Sequence, residues 1–565
     1  MVRGLIAIAA LAANISSVSA TPTVHTSQGR VRGTNCDGSN VHAFYGIPYA
    51  QPPVNELRFM PPKVFNQSYT NNELDASQQP PPCIQWDPMF AVTSPTPSED
   101  CLYMDVYMPK QNNSDQKLPV KVFAYGGGNT GGALNYDLYN GCNLAKDAIV
   151  VTFNYRLGPL GFLSLNKAGI QGNMAIQDYL MALRWVQSNI EHFGGDRSQV
   201  ALFGQSAGAD DAFVVSTLVE SKQLLSSVIL QSGGGQDLLS LENAQTAGAS
   251  YAGALHCAPE DLGCLQSKPV EQLVTALSNT SATWNQNILS GVFAVNMPQK
   301  LDLASVVLDG NIVKTEPLLK GPQVPIISGH NADDSTLFVL PYYETGTTPI
   351  TESNYTDFLA AWGDASAEVK KYYPLSRFNV TGRTQDAVVF AVSHIITAAS
   401  YTCPSFRMLR AAEAAGTRAY AYIFDTTPSC PWLLMGGQAV PPELLLPYFG
   451  ASHTAELPYI FGNLDNMPFR QGNCSANAGE RQISQTLIAA WTALAATARP
   501  STKAQRWPQF NSCQHRGVYV KENVTLAPLD FSECAFWDEV WVQMGGNRVA
   551  AGDSSKCKSC RRHAT

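Results

Sequence analysis

Past its first twenty residues, this chain of 565 has no apolar run of bilayer-spanning length, no cluster of lysine and arginine, and no internal repeat. The first absence argues against a membrane-spanning protein. The second, with a formal net charge of −8, argues against a nucleic-acid partner. No dinucleotide fingerprint follows a first strand, and no histidine, cysteine or acidic cluster has metal-ligand spacing. No cofactor and no metal are therefore expected. Charge itself is sparse, at 15% of residues against 45% hydrophobic, a composition that can fill a large core.

What is present begins at the N-terminus. Arg3 precedes a short apolar run from Leu5 to Ala13, and Val18-Ser19-Ala20 fits a small-residue cleavage site. Residues 1–20 therefore read as an export signal, with a mature chain from Thr21. Thirteen cysteines agree with an oxidising compartment. So do seven N-x-S/T triplets, at Asn66, Asn112, Asn279, Asn354, Asn379, Asn473 and Asn523, which are expected to be glycosylated surface positions. No lipid-anchor tail is seen at the C-terminus. The expected product is a soluble glycoprotein, secreted or in the secretory-pathway lumen.

Short, nearly continuous apolar runs alternate with helical patterns. The runs Val120–Tyr125, Ile149–Tyr155, Val200–Phe203, Ser227–Gln231, Val324–Ser328 and Ala419–Phe424 fit strands buried on both faces. Met174–Glu191 repeats its apolar residues at helical spacing, and Ile483–Thr497 does so before Pro500. Such alternation predicts an α/β fold with a mostly parallel central sheet flanked by helices. The expected organisation is one domain over 21–545 and a tail over 546–565.

The chemistry concentrates at Val200–Gly208. A strand pattern runs into Gly204-Gln205-Ser206-Ala207-Gly208, with a helical pattern after it. A five-residue G-x-S-x-G arises often by chance in glycine-rich turns. Between a buried strand and a helix it marks a sharp turn that projects the serine hydroxyl above the sheet, so Ser206 is the candidate nucleophile. A hydroxyl needs a base, an orienting acid and donors for a developing oxyanion. Gly126-Gly127-Gly128 ends another strand pattern, where the lack of Cβ lets N–H groups approach a ligand. Gly127, Gly128 and the N–H of Ala207 are the candidate donors. Nine histidines leave the base open, and residue pattern alone does little to single out His453.

Two long stretches, Phe193–Gly208 and Glu99–Pro109, resemble the type-B carboxylesterase/lipase family, which includes the cholinesterases and fungal secreted lipases. Shorter segments agree: Phe44–Ala50, Asn154–Arg156, Gly172-Asn173, Trp185-Val186 and Leu457–Tyr459. Together they span about residues 22 to 540. The resemblance implies an α/β-hydrolase fold, and it implies that Ala451–Gly462 carries the catalytic histidine, His453. His394 lies in an apolar helical run and reads as a core residue, and His330 sits near the acid segment. The acid segment is Gly329–Ser335. There Asp334 stands where the family usually has glutamate and Ser335 where it has glycine; Asp333 is the alternative acid.

Other departures are Gln205, where glutamate is common, and Asn129, where phenylalanine is common. The resemblance pairs Cys83 with Cys101 and Cys257 with Cys264. It leaves Cys36, Cys142, Cys403, Cys430, Cys474, Cys513 and Cys534 unassigned. Cys557-x-x-Cys560, in a basic tail, reads as a structural disulfide or a disordered end. Two ion pairs are also implied, Arg58 with Glu99 and Arg156 with Asp178. Only 17 residues separate Cys83 from Cys101, too few for a large lid, and Trp86 among them either lines the site or packs. The resulting expectation is a Ser206–His453–Asp334 hydrolase of small or medium neutral carboxylic esters, acting through an acyl-enzyme. Acyl transfer by the same triad, as in a secondary-metabolite pathway, and a non-catalytic binding module are the competing readings.

Overall fold

The computed structural model describes residues 21–110, 116–277, 301–344, 350–380, 384–432, 434–435, 438–439, 449–465 and 472–548. Eleven strands form the central sheet: β1 (Thr34–Asn35), β2 (Val41–Pro48), β3 (Tyr103–Pro109), β4 (Leu118–Ala124), β5 (Ile149–Phe153), β6 (Gly195–Gln205), β7 (Ser227–Gln231), β8 (Ile326–Asn331), β9 (Ala419–Phe424), β10 (Arg516–Val520) and β11 (Val524–Pro528). Their order is β11-β10-β9-β8-β7-β6-β4-β5-β3-β2-β1. From β10 to β5 every pairing is parallel, and antiparallel strands close both edges. The expected runs lie on these strands; β5, β7, β8 and β9 are buried at every position. Strands covered on both faces have no polar side to show, which is why they read as unbroken apolar runs.

The strand order reverses between β4 and β6. In an open parallel sheet the crevice at the carboxyl ends of such a pair is where ligands bind. Gly126–Gly128 follow β4 and Ser206 follows β6, so both candidate elements open onto that crevice.

Helices cover the sheet. They include α1 (Met174–Asn189), α2 (Ala207–Thr217), α3 (Thr336–Glu344), α4 (Thr384–Thr397), α5 (Cys403–Ala414) and α6 (Ala478–Thr497). The α6 helix starts five residues before its expected boundary. Asn477 and Glu480 form a reciprocal capping box there, a signal the apolar spacing does not carry. α4 and α5 are one continuous rod joined by a π-helical turn, Ala398–Thr402. Here the structure corrects an expectation: Asp386–Ala414 is long and apolar enough to cross a membrane, although the sequence shows no unbroken run of that length. Of its most apolar window 78% is buried inside the protein, so its hydrophobicity belongs to the core.

Five disulfides are described. Cys83–Cys101 and Cys257–Cys264 pair as the resemblance implies. Cys36–Cys142, Cys403–Cys534 and Cys430–Cys474 supply connectivity the sequence left open. Cys513 is also disulfide-bonded. Cys557 and Cys560 lie outside the described residues, as do residues 1–20, most of the tail, Asn112 and Asn279. Asn66, Asn379, Asn473 and Asn523 are exposed, while Asn354 is half-buried in a helix cap.

Both implied ion pairs form. Arg58 grips Glu99 through two bonds of 2.6 Å, and Arg156 grips Asp178 at 2.7 and 2.8 Å. A third buried acid, Asp105 on β3, has no basic partner among the described residues. The Gly46 N–H donates to it at 2.9 Å, and burial pushes its pKa up to about 8.

Candidate active site

Ser206 sits between β6 and α2 with φ 56° and ψ −130°, a conformation that non-glycine residues rarely adopt. The turn that holds it has no space for side chains. A Cβ on Gly204 would lie 2.2 Å from the Gly208 carbonyl oxygen, and one on Gly208 would lie 2.3 Å from that of Ala124. The glycines of G-x-S-x-G are therefore a packing requirement. Ala207 opens α2, whose first N–H groups have no acceptor within the helix.

The glycine triplet packs against this turn. A Cβ on Gly126 would lie 2.7 Å from the Cβ of Ser206. Gly127 and Gly128 have φ of 116° and 62°, and a Cβ on Gly127 would lie 2.4 Å from the Gly131 carbonyl oxygen. The structure thus brings Gly127, Gly128 and Ala207 to the same crevice as Ser206.

His453 Nδ1 lies 2.8 Å from Asp334 Oδ1, and the His453 backbone N–H donates to the Asp334 carbonyl at 3.0 Å. Asp334 also accepts from the Asn331 N–H at 2.7 Å. Both side chains are buried. Asp333 is turned elsewhere and accepts from the Ala451 N–H at 3.0 Å. Of the two candidate acids, only Asp334 is bonded to the histidine ring.

The other ring nitrogen has a partner the sequence did not assign to it. Gln205 Nε2 lies 3.0 Å from His453 Nε2. With Nδ1–H donating to Asp334, Nε2 carries the lone pair, and the Gln205 amide donates to it. Among the described residues no hydrogen bond joins Ser206 directly to His453. The sequence flagged Gln205 only as an exchange of glutamate for its amide.

Further groups support the ring. The Nδ2 of Asn331 donates to Glu456 at 2.6 Å and to the Ser452 carbonyl at 2.7 Å. Gln231 Nε2 donates to Glu456 at 3.1 Å. Burial, then the negative charge of Asp334, holds the Glu456 pKa above the usual carboxylate range. Phe338 on α3 and Tyr401 in the π-turn each place a ring centroid 5.2 Å from that of His453. Phe90, from the Cys83–Cys101 loop, reaches Phe338 at 6.4 Å. No sequence motif marks these aromatic residues, because the contacts join segments far apart in the chain.

Three expectations are settled differently or more narrowly. His394 is not a core residue: its side chain is 42% exposed and its Nε2 meets Glu533 at 2.9 Å. His330 is buried on β8, and burial lowers its pKa to about 4. Trp86 is buried, and a Cβ on Gly158 would lie 2.7 Å from its ring, so it packs closely there.

A strand-turn-helix serine, a histidine on an acid and a glycine triplet in one crevice have close counterparts. The sequence profile of the carboxylesterase family matches residues 20–537. The chain belongs to the carboxylesterase family. Para-nitrobenzyl esterase of Bacillus subtilis (strain 168) is 30% identical over 89% of this chain and 95% of its own. Acetylcholinesterase of Leptinotarsa decemlineata is 26% identical over 93% of this chain and 86% of its own. A solved PNB esterase superposes with a TM-score of 0.73 at 28% identity, covering 92% of this chain and all of its own. The fold is that of the α/β-hydrolases, and this carboxylesterase acts on small-molecule esters.

Proposed function

We propose that this carboxylesterase is a secreted serine hydrolase of small or medium neutral carboxylic esters, built as one catalytic domain over 21–545. The observation that carries the reading is the 2.8 Å contact of His453 with Asp334 beside the turn that holds Ser206. Ser206 Oγ attacks the ester carbonyl and His453 Nε2 takes its proton. Asp334 keeps the imidazole in the Nδ1–H tautomer and stabilises the imidazolium. The N–H groups of Gly127, Gly128 and Ala207 receive the oxyanion. His453 then protonates the leaving alcohol, and water attacks the acyl-enzyme by the reverse sequence. Catalytic hydrogen bonds often tighten only when substrate is bound, so the Gln205 contact is the resting arrangement that Ser206 displaces.

Export is supported by the oxidised cysteines and by four exposed glycosylation triplets. Neutral substrates are supported by Gln205, which places an uncharged amide next to the nucleophile. Butyrylcholine should therefore be a poorer substrate than a neutral butyrate ester, and a strong preference for the choline ester would refute that point. The mechanism is tested with p-nitrophenyl esters of increasing chain length on wild type and Ser206→Ala. Loss of turnover in the variant is expected, and equal turnover would refute the mechanism. A steady rise toward long chains would favour a lipase.

A further inference from the structure

The acid segment and the base segment are joined by more than the contact of Asp334 with the His453 ring. Thr336 Oγ1 donates to the Phe449 carbonyl at 2.6 Å. The Asp333 N–H donates to the Ala451 carbonyl at 3.1 Å, and the Ala451 N–H donates back to Asp333 Oδ2 at 3.0 Å. Asn331 Nδ2 then meets the Ser452 carbonyl, and the His453 N–H meets the Asp334 carbonyl. The segment that carries the histidine is thus bonded at residues 449, 451, 452 and 453, and passes over Gly450.

The centre of this clip is the Asp333 carboxylate. Residues 449–453 belong to no strand, so their N–H groups need acceptors from outside the regular ladder. Asp333 takes both polar groups of Ala451, one through its main chain and one through its side chain. That is the pairing a neighbouring strand would otherwise supply. Gly450 makes room for it. Its φ is 58°, and a Cβ there would lie 2.1 Å from Asp333 Oδ2. The base segment therefore turns around this carboxylate. The nearby charges are engaged with one another: Asp425 accepts from the Tyr519 hydroxyl at 2.6 Å and from Lys521 Nζ at 2.8 Å. Burial raises the Asp333 pKa; the Ala451 N–H and Lys521 oppose that rise, and the charges of Asp425 and Asp334 add to it.

We propose that Asp333, the acid that does not touch the histidine ring, is a positioning residue for it: its two bonds to Ala451 fix the segment that presents His453 to Ser206. The inference rests on the Ser206–His453–Asp334 reading and adds a residue to it. Misplacing a reacting group by about 1 Å can cost about 10²-fold in rate, so a loosened clip should be read in turnover more than in binding.

The test is p-nitrophenyl butyrate kinetics on the full chain, with kcat taken per site titrated by an organophosphonate, so that the folded fraction does not enter. Asp333→Ala removes the acceptor for the Ala451 N–H, whereas Asp333→Asn keeps an amide oxygen for it. Both lose the negative charge, so their difference reads the bond alone. Asp333→Ala should lower kcat about 10- to 100-fold with KM changed by less than about threefold, and Asp333→Asn should recover most of that loss. Gly450→Ala pushes a methyl group onto the carboxylate from the other side. It should also lower kcat, and should cost little more once residue 333 is already alanine. Equal kcat in Asp333→Ala and Asp333→Asn overturns this inference alone. So do losses at 333 and 450 that multiply in the double variant. An inactive Asp333→Asn beside a fully active Asp334→Asn would exchange the two acids and overturn the triad reading itself.

Discussion

Asp178 and Asp334 are both fully buried and both paired with a basic side chain, yet the two pairs are finished differently. Around Asp178 the bonding is closed. Arg156 meets its carboxylate through Nε, Nη2 and the backbone N–H, and gives Nη1 to the Met60 carbonyl. Arginine does not titrate, so this basic partner cannot give up or take a proton. Around Asp334 the partner is a histidine whose second nitrogen meets only the uncharged Gln205 amide. The same buried carboxylate locks structure in one place and, in the proposed mechanism, supports a proton acceptor in the other. What distinguishes them is whether the partner keeps a usable atom.

Separate losses should follow from substitution of the two acids. Asp334→Asn should lower kcat about 10⁴-fold, because an amide no longer fixes the tautomer. Its thermal midpoint should stay close to wild type. Asp178→Ala should leave Arg156 as an uncompensated buried charge and lower stability by about 3–5 kcal/mol. The folded fraction should keep near-normal kcat. Denaturation and active-site titration on both variants check the pair, and a stability loss common to both would erase the distinction.

The side of the histidine that meets Gln205 can be perturbed alone. Gln205→Glu places a carboxylate at His453 Nε2, which favours the protonated ring. The acidic limb of the kcat/KM profile should move up by about one pH unit, and a pH–rate series on a neutral ester measures it.

Asp105 shows what a buried acid does with no basic partner. Its folded pKa of about 8 means that, between about pH 4 and 8, the native state holds a proton the unfolded chain has lost. Stability therefore falls as pH rises through that window. Asp105→Asn keeps an acceptor for the Gly46 N–H and should recover several kcal/mol at pH 8, up to about 5, with almost no gain at pH 4. Thermal melts at the two pH values test it.

The sequence made the fold and the nucleophile legible for a local reason. Ser206 is fixed by contiguous residues, and the sterics of Gly204 and Gly208 are written within five positions. The parallel strands showed as apolar runs because both faces are covered. The proposed base and acid stand 119 residues apart in sequence, and only the resemblance linked them. The aromatic contacts of Phe90, Phe338 and Tyr401 left no local trace, and neither did the Gln205 bond. His394 was misread for the same reason. Its helix is apolar, but the exposure of one position on it depends on Glu533, which is 139 residues away.

The π-turn at Ala398–Thr402 puts the site's tolerance of insertion and deletion in question. A π-turn accommodates one residue more than the regular pitch would. Deleting Thr402 would let the α4–α5 rod run as an unbroken α-helix, which local energetics favour. It would also turn one half of the rod about 100° relative to the other. Tyr401 could not then stay on His453 while Cys403 stayed on Cys534. The surplus residue is an irregularity that a stability-driven redesign would remove first, and its removal would be felt at the proposed base, His453.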